Sequence, residues 1–221
     1  MPSLYALPAA DMAHALRRQA RALAALPRDA HAGWLAPLGL RAPATDGPAG
    51  GTQARLWLRA LGLHDLQDTL LTEGLNRLAT LPAARARQAL ALRALLHRGR
   101  LLRTGAQAAQ SAQAALTALG AGWVGARAWQ ALLHDAPAPL HDAALPIGDT
   151  ARLSTSLAWE GWCRLQAEPA CGAASALRLL RLYFARALAP LAVSPPEPAL
   201  SHWLARRLDD LYLDDETEDA T

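Results

Sequence analysis

Three histidine-aspartate doublets, His64-Asp65, His134-Asp135 and His141-Asp142, are the residues of this 221-residue chain whose types and spacing could do chemistry. A neutral imidazole beside a carboxylate can ligate a metal, and a helical His-Asp metal-dependent hydrolase would hold such ligands on facing helices of a packed core. The doublets fall instead at expected helix ends or in loops. Asp65 reads as an N-cap, and His134 as a cation favoured by the dipole at a helix C-terminus. Cys163 and Cys171, eight positions apart across a turn, come with no CxxC or HxE pattern, so a zinc site lacks ligands there. No GxSxG and no P-loop is present, and the glycines around Trp123 (GAGWVG) lack the preceding strand and the Lys that a phosphate cradle would use. No catalytic residue, metal ligand or cofactor is expected, and the chain reads as a non-enzyme.

The arginines are the next candidates. Arg85, Arg87, Arg93, Arg98, Arg100 and Arg103 form a basic run, and guanidinium groups pair with phosphates bidentately, so a basic helical nucleic-acid-binding protein is an alternative reading. No helix-turn-helix, zinc finger or aromatic platform accompanies the run. All 22 basic residues are Arg, which together with the Ala and Leu excess points first to GC-rich coding. Seven of the nineteen acids lie between Asp209 and Asp219, leaving the rest of the chain with twenty-two arginines against twelve acids. The seven tryptophans are spread over several segments and read as core anchors, with one or two free to hold a partner.

The elements that must position these residues are helices. The apolar fraction is 52%, built from Ala and Leu, with a single Ile (Ile147), two Val (Val124, Val193) and a single Phe (Phe184). Strands want β-branched and aromatic residues, so an all-α fold is expected: one compact multi-helix domain with a smaller N-terminal lobe. Pro8 opens a helix whose inward stripe is Met12, Leu16, Ala20, Leu23 and Leu26, ended by Pro27. Its Arg17, Arg18 and Arg21 face solvent. The stretch 39–52 (GLRAPATDGPAGGT) is a flexible link, so the lobe occupies 1–52, the main domain 53–213, and 214–221 is an acidic, disordered tail. Asp65 caps a helix with Leu66, Leu70, Gly74 and Leu78 inward, and Pro82 opens another that Gly99 ends. An Ala- and Gln-rich helix follows to Leu119, with a glycine break around Trp123. Residues 149–191 read as a helical hairpin on which the rest packs, its second helix running Ser175–Leu188 with Arg178 and Arg181 on one side. Pro198 starts a final helix. No apolar run approaches the roughly 20 residues of a bilayer span and no basic-then-apolar leader opens the chain, so a cytoplasmic protein with free thiols is expected.

Two stretches carry a resemblance. The run LWLRALGLHDLQDTLL (56–71) with its Leu-Gly-Leu corner, and SLAWEGWCRLQAEPACGAASALRLLRL (156–182) with its Glu-Pro turn, resemble the SctK family of type III secretion accessory proteins, represented by YscK and PscK. Pro8-Ala9-Ala10 followed by Met12 and His14 is a fainter match. The long Gly/Pro link, the Ala/Gln helix and the acidic tail depart from that family. The resemblance implies a helical cytoplasmic adaptor in the sorting platform beneath an injectisome, peripheral to the inner membrane. Its partners would be the cytoplasmic domain of an SctD-like inner-membrane ring protein and an SctQ-like pod protein. Two candidate partner faces follow, one around Arg178 and Arg181 and one around Arg206 and Arg207 on the terminal helix.

Overall fold

The computed structural model describes residues 9–39, 55–63, 74–99, 102, 110–137, 150–172, 175–193 and 196–212. The fold is all-α, with no strand among the described residues. In chain order the helices are α1 (Ala9–Asp29), α2 (Ala32–Leu35), α3 (residues 55–60), α4 (Ala83–His97), α5 (Gln110–Val124), α6 (Ala126–Asp135), α7 (Thr150–Gln166) and α8 (Pro198–Tyr212), and 3-10 turns cover Ala36–Leu38, Gly74–Thr80, Pro169–Cys171 and Ala176–Tyr183. The expected link at 40–52, the His64-Asp65 and His141-Asp142 doublets, Arg100, Arg103 and the tail 214–221 lie outside the described residues.

Packing divides the chain into two units, each assembled from separate stretches. The first takes Met1–Ala86 and Pro169–Pro190, the second Arg87–Glu168 and Leu191–Thr221. The expected hairpin is therefore cut between Glu168 and Pro169, with α7 in one unit and Ala176–Tyr183 in the other.

In the first unit α1 packs on Gly74–Thr80, which packs in turn on Ala176–Tyr183. A 3-10 turn repeats every three residues, so Leu177, Leu180 and Tyr183 line one edge and Ala176, Leu179 and Leu182 the next; all six are buried. The expected α-helix to Leu188 gives way at Phe184, which is extended. The Arg181 guanidinium meets the carbonyls beyond that point, donating to Phe184 O (3.3 Å), Ala185 O (3.0 Å), Arg186 O (3.0 Å) and Leu188 O (3.3 Å). Ser175 caps the start by accepting the Leu177 N–H, and its hydroxyl reaches Asn76. The register of α1 also differs from the expected stripe: Leu16 is 51% exposed and Ala20 exposed, whereas Gln19, Leu26 and Ala30 are buried. The apolar run 22–26 offers two helical faces, and the one continued by Gln19 and Ala30 is the one that packs.

The second unit is built on α4. From Ala89 to Leu96 every side chain is buried, as in a helix surrounded on all sides. α7 crosses it where Gly161 lies against the Leu90 carbonyl, a site with no room for a Cβ. α5 continues through Gly120 and Gly122 to Val124, past the expected break, because Gly120 receives the face of the Trp129 indole. Gly125, with φ +84°, makes the turn into α6.

Candidate functional site

The segment ALALRALLHR (89–98) places Arg93 and His97 one helical turn apart in a wholly apolar context, and a buried cation needs carboxylates close by. They come from two other stretches. Arg93, 3% exposed, donates from Nε to Ser201 Oγ (2.7 Å), from NH1 to Glu197 Oε2 (3.1 Å) and from NH2 to Glu168 Oε1 (3.0 Å). The Ser201 hydroxyl donates to the same Glu168 oxygen, and His97 Nδ1 lies 2.9 Å from Glu197 Oε2. Glu197 stands just ahead of Pro198, and its carbonyl accepts the N–H groups of Leu200 and Ser201, so one residue both starts α8 and ties it to α4. One level along, Arg98 donates to Glu160 Oε2 (2.6 Å) and Arg164 to Glu160 Oε1 (2.9 Å).

Burial alone would raise the carboxyls of Glu160 and Glu197. The hydrogen bonds and charges of Arg98 and Arg164 hold Glu160 below its ordinary value, and those of His97 and Arg93 do the same for Glu197. Glu197 is thus an acceptor, and the His97 Nδ1–H donates to it. Burial pushes the Arg164 guanidinium down from its usual value, against the pull of Glu160. Most polar groups of this cluster are directed at one another, while Glu168 Oε2 and one terminal nitrogen of Arg164 are buried without a hydrogen-bond partner among the described residues. Its chemical capacity is to fix register between α4, α7 and α8.

The cluster also changes the basic run seen in the sequence. Arg93 and Arg98 are buried and paired rather than part of a solvent-facing strip, while Arg87 is exposed and Arg85 half-buried. His134 and Asp135 sit at the exposed end of α6, 2.9 Å apart, with Arg207 at 3.7 Å from the other Asp135 oxygen. No group of three His, Cys, Asp or Glu side chains fit to hold a metal occurs among the described residues. Cys163 is buried and its Sγ accepts the Leu191 N–H; Cys171 is half-buried, and neither forms a disulfide.

The four arginines expected on partner faces lie in different settings. Arg178 is half-buried, and Arg181 wraps the chain that follows it while standing 5.0 Å over the Trp34 ring. Arg206 is exposed; Arg207 is exposed over Trp203 at 5.9 Å. Of the tryptophans, Trp57, Trp129, Trp159 and Trp162 are buried and Trp34, Trp123 and Trp203 half-buried. On the second unit an open groove of about 500 Å³ runs between α5 and α6, lined by Ala114, Thr117, Ala118, Ala126, Gln113 and Gln130.

Charge is divided between the units. The stretches of the first unit carry twelve arginines against six acids, those of the second ten against thirteen. The first is basic; the second is acidic only through Asp214, Asp215, Glu216, Glu218 and Asp219, which lie outside the described residues, and without them it carries ten arginines against eight acids. No helix among the described residues is long and apolar enough to cross a membrane.

No curated protein and no solved structure is significantly similar to the chain. One family does match, bacterial type III secretion protein (HrpB4), over residues 8–213, which takes in both units and every element described above. A match along that much of the sequence, on an all-α body, establishes that the chain belongs to the HrpB4 family of bacterial type III secretion proteins.

Proposed function

We propose that this chain is a non-enzymatic adaptor of the type III secretion apparatus, of the SctK kind, working on the cytoplasmic side at the base of the apparatus. It joins the cytoplasmic domain of an SctD-like inner-membrane ring protein to an SctQ-like pod protein. The observation that carries the reading is the division into two packing units, the first with twice as many arginines as acids, within a secretion-family chain. A linker of two different proteins needs two faces that do not compete, and two packing units of unequal charge supply them, charge setting on-rate and register more than affinity. The buried Arg93 cluster supports the same reading. It fixes the helices of the second unit rigidly, which is what a spacer requires, and it uses ionic groups for position rather than for reaction.

The test is pairwise binding of the purified chain to each of the two partners from the same secretion system. Both should bind, and 0.5 M salt should slow association of each, since exposed charges more than about 8 Å apart are screened at physiological salt and nearer ones at higher salt. Binding to neither partner, with RNA or DNA binding that weakens steeply with salt, would replace this reading with the nucleic-acid one.

A further inference from the structure

Trp34 is the most firmly held of the partly exposed tryptophans. Its Nε1–H donates to Phe184 O at 2.8 Å, and the neighbouring His31 N–H donates to Leu182 O at 2.8 Å, so the indole is fixed to the segment that follows Ala176–Tyr183. Two guanidinium groups lie over its ring, Arg181 at 5.0 Å and Arg186 at 5.5 Å. Their roles differ. Arg181 is committed to four backbone carbonyls. Arg186 is exposed, and among the described residues no carboxylate pairs with it. Two residues on, Leu188 is 38% exposed. A fixed indole, a stacked guanidinium whose donors meet no carboxylate among the described residues and an exposed leucine thus share one short surface of the basic unit. Trp and Arg are the residues that dominate binding energy at protein interfaces, and a stacked guanidinium is already oriented for two-point contact with a carboxylate.

We propose that Trp34, Arg186 and Leu188 form the docking site for an acidic, leucine-bearing segment of a partner protein, a site that rests on the adaptor reading and gives its basic face a location. A carboxylate of the partner pairs with Arg186, and an apolar side chain covers Leu188 and the exposed part of Trp34. The surplus of arginine over acid in this unit selects an anionic partner. Leu188 stands in a non-helical stretch rather than on an amphipathic helix that could lie in a bilayer surface, and for that reason a protein segment is the occupant.

The experiment uses the full chain, with Arg186→Glu, Arg186→Lys and Leu188→Ala, against three probes. These are the two partner proteins, a labelled twelve-residue peptide alternating Glu and Leu, and phosphatidylglycerol vesicles. Melting temperatures confirm that each variant is folded. Arg186→Glu should weaken one partner and the peptide tenfold or more and leave the other partner within twofold, whereas Arg186→Lys, which keeps the charge but loses the two-point contact, should fall between wild type and Arg186→Glu. Leu188→Ala should weaken the same partner severalfold. If both partners bind and Arg186→Glu changes neither them nor the peptide, the docking site is wrong and the adaptor reading stands. If neither partner binds but the peptide does, in an Arg186-dependent way, the adaptor reading falls and the site stands. Absence of peptide binding by the wild type overturns the site, and Arg186-dependent vesicle binding without peptide binding assigns it to a membrane instead.

Discussion

At the residue scale, the most exacting positions are those where a helix has no room or a charge has no water. Gly161 is one: any Cβ there overlaps the Leu90 carbonyl, which is backbone and cannot turn aside. Gly161→Ala should cost about 1–3 kcal/mol, since the two helices must separate to admit a methyl group, and thermal melting would show it. A melting temperature equal to wild type would mean that α7 does not cross α4 there. Arg93 is the other. Arg93→Met removes the cation from Glu168 and Glu197 and leaves the first with the Ser201 hydroxyl and the second with His97 as their buried partners, a loss of about 3–5 kcal/mol; chemical denaturation should find a lower midpoint. Replacing Glu168, Glu197 and Arg93 together by apolar residues should restore much of it, because the cost lies in the unpaired charge.

The same cluster gives a pH dependence whose sign follows from its geometry. Glu160 and Glu197 are held below their ordinary value of 4.5, so each contributes stability that is fully present above about that pH. It is lost as pH falls through the lower folded-state values, where the native carboxylates take up protons. Stability measured by urea unfolding should therefore be flat in this respect from pH 7 to 5 and decline below about 4.5. Glu197→Gln should start lower at neutral pH and decline less steeply. An equal slope in both proteins would show that Glu197 is not held by His97 and Arg93.

Among the elements, the sequence was readable where a single signal decided the outcome. Pro198 starts α8, the helix opened by Pro82 runs Ala83–His97, and the scarcity of β-formers pointed to a fold without strands. It was misleading where two solutions compete. In α1, Ala and Leu fill enough positions that two faces are apolar by pattern, and Gln19, polar by type, ends on the buried one. The Ala176–Tyr183 segment carries leucines at spacings that suit either helix type, and the Arg181 side chain that meets the following carbonyls cannot be read from a hydrophobic pattern. The Arg93 cluster escaped notice because its members come from positions 93, 97, 168, 197 and 201. The signal that could have found it is an arginine and a histidine one turn apart in a stretch otherwise of Ala and Leu. Of the four arginines expected at partner faces, Arg181 turns out to brace its own chain, and its neighbour Arg186 is exposed with no carboxylate partner among the described residues.

For the molecule as a whole, the decisive property is how charge is distributed. The net charge of +3 conceals a basic first unit and a second whose acidic excess comes entirely from Asp214, Asp215, Glu216, Glu218 and Asp219. Removing residues 214–221 takes away those five and no arginine, so heparin retention should rise while the melting temperature stays within about a degree. Unchanged retention would mean that these carboxylates do not offset the basic unit in solution. Such a division suits a protein that must hold two others at once. The most direct measurement is sedimentation velocity on the full chain mixed with the ring-protein cytoplasmic domain and the pod protein together. A single species with the mass of all three is the expected result, with each pair also seen alone; pairs that displace one another, or no complex with either partner, would contradict the adaptor account.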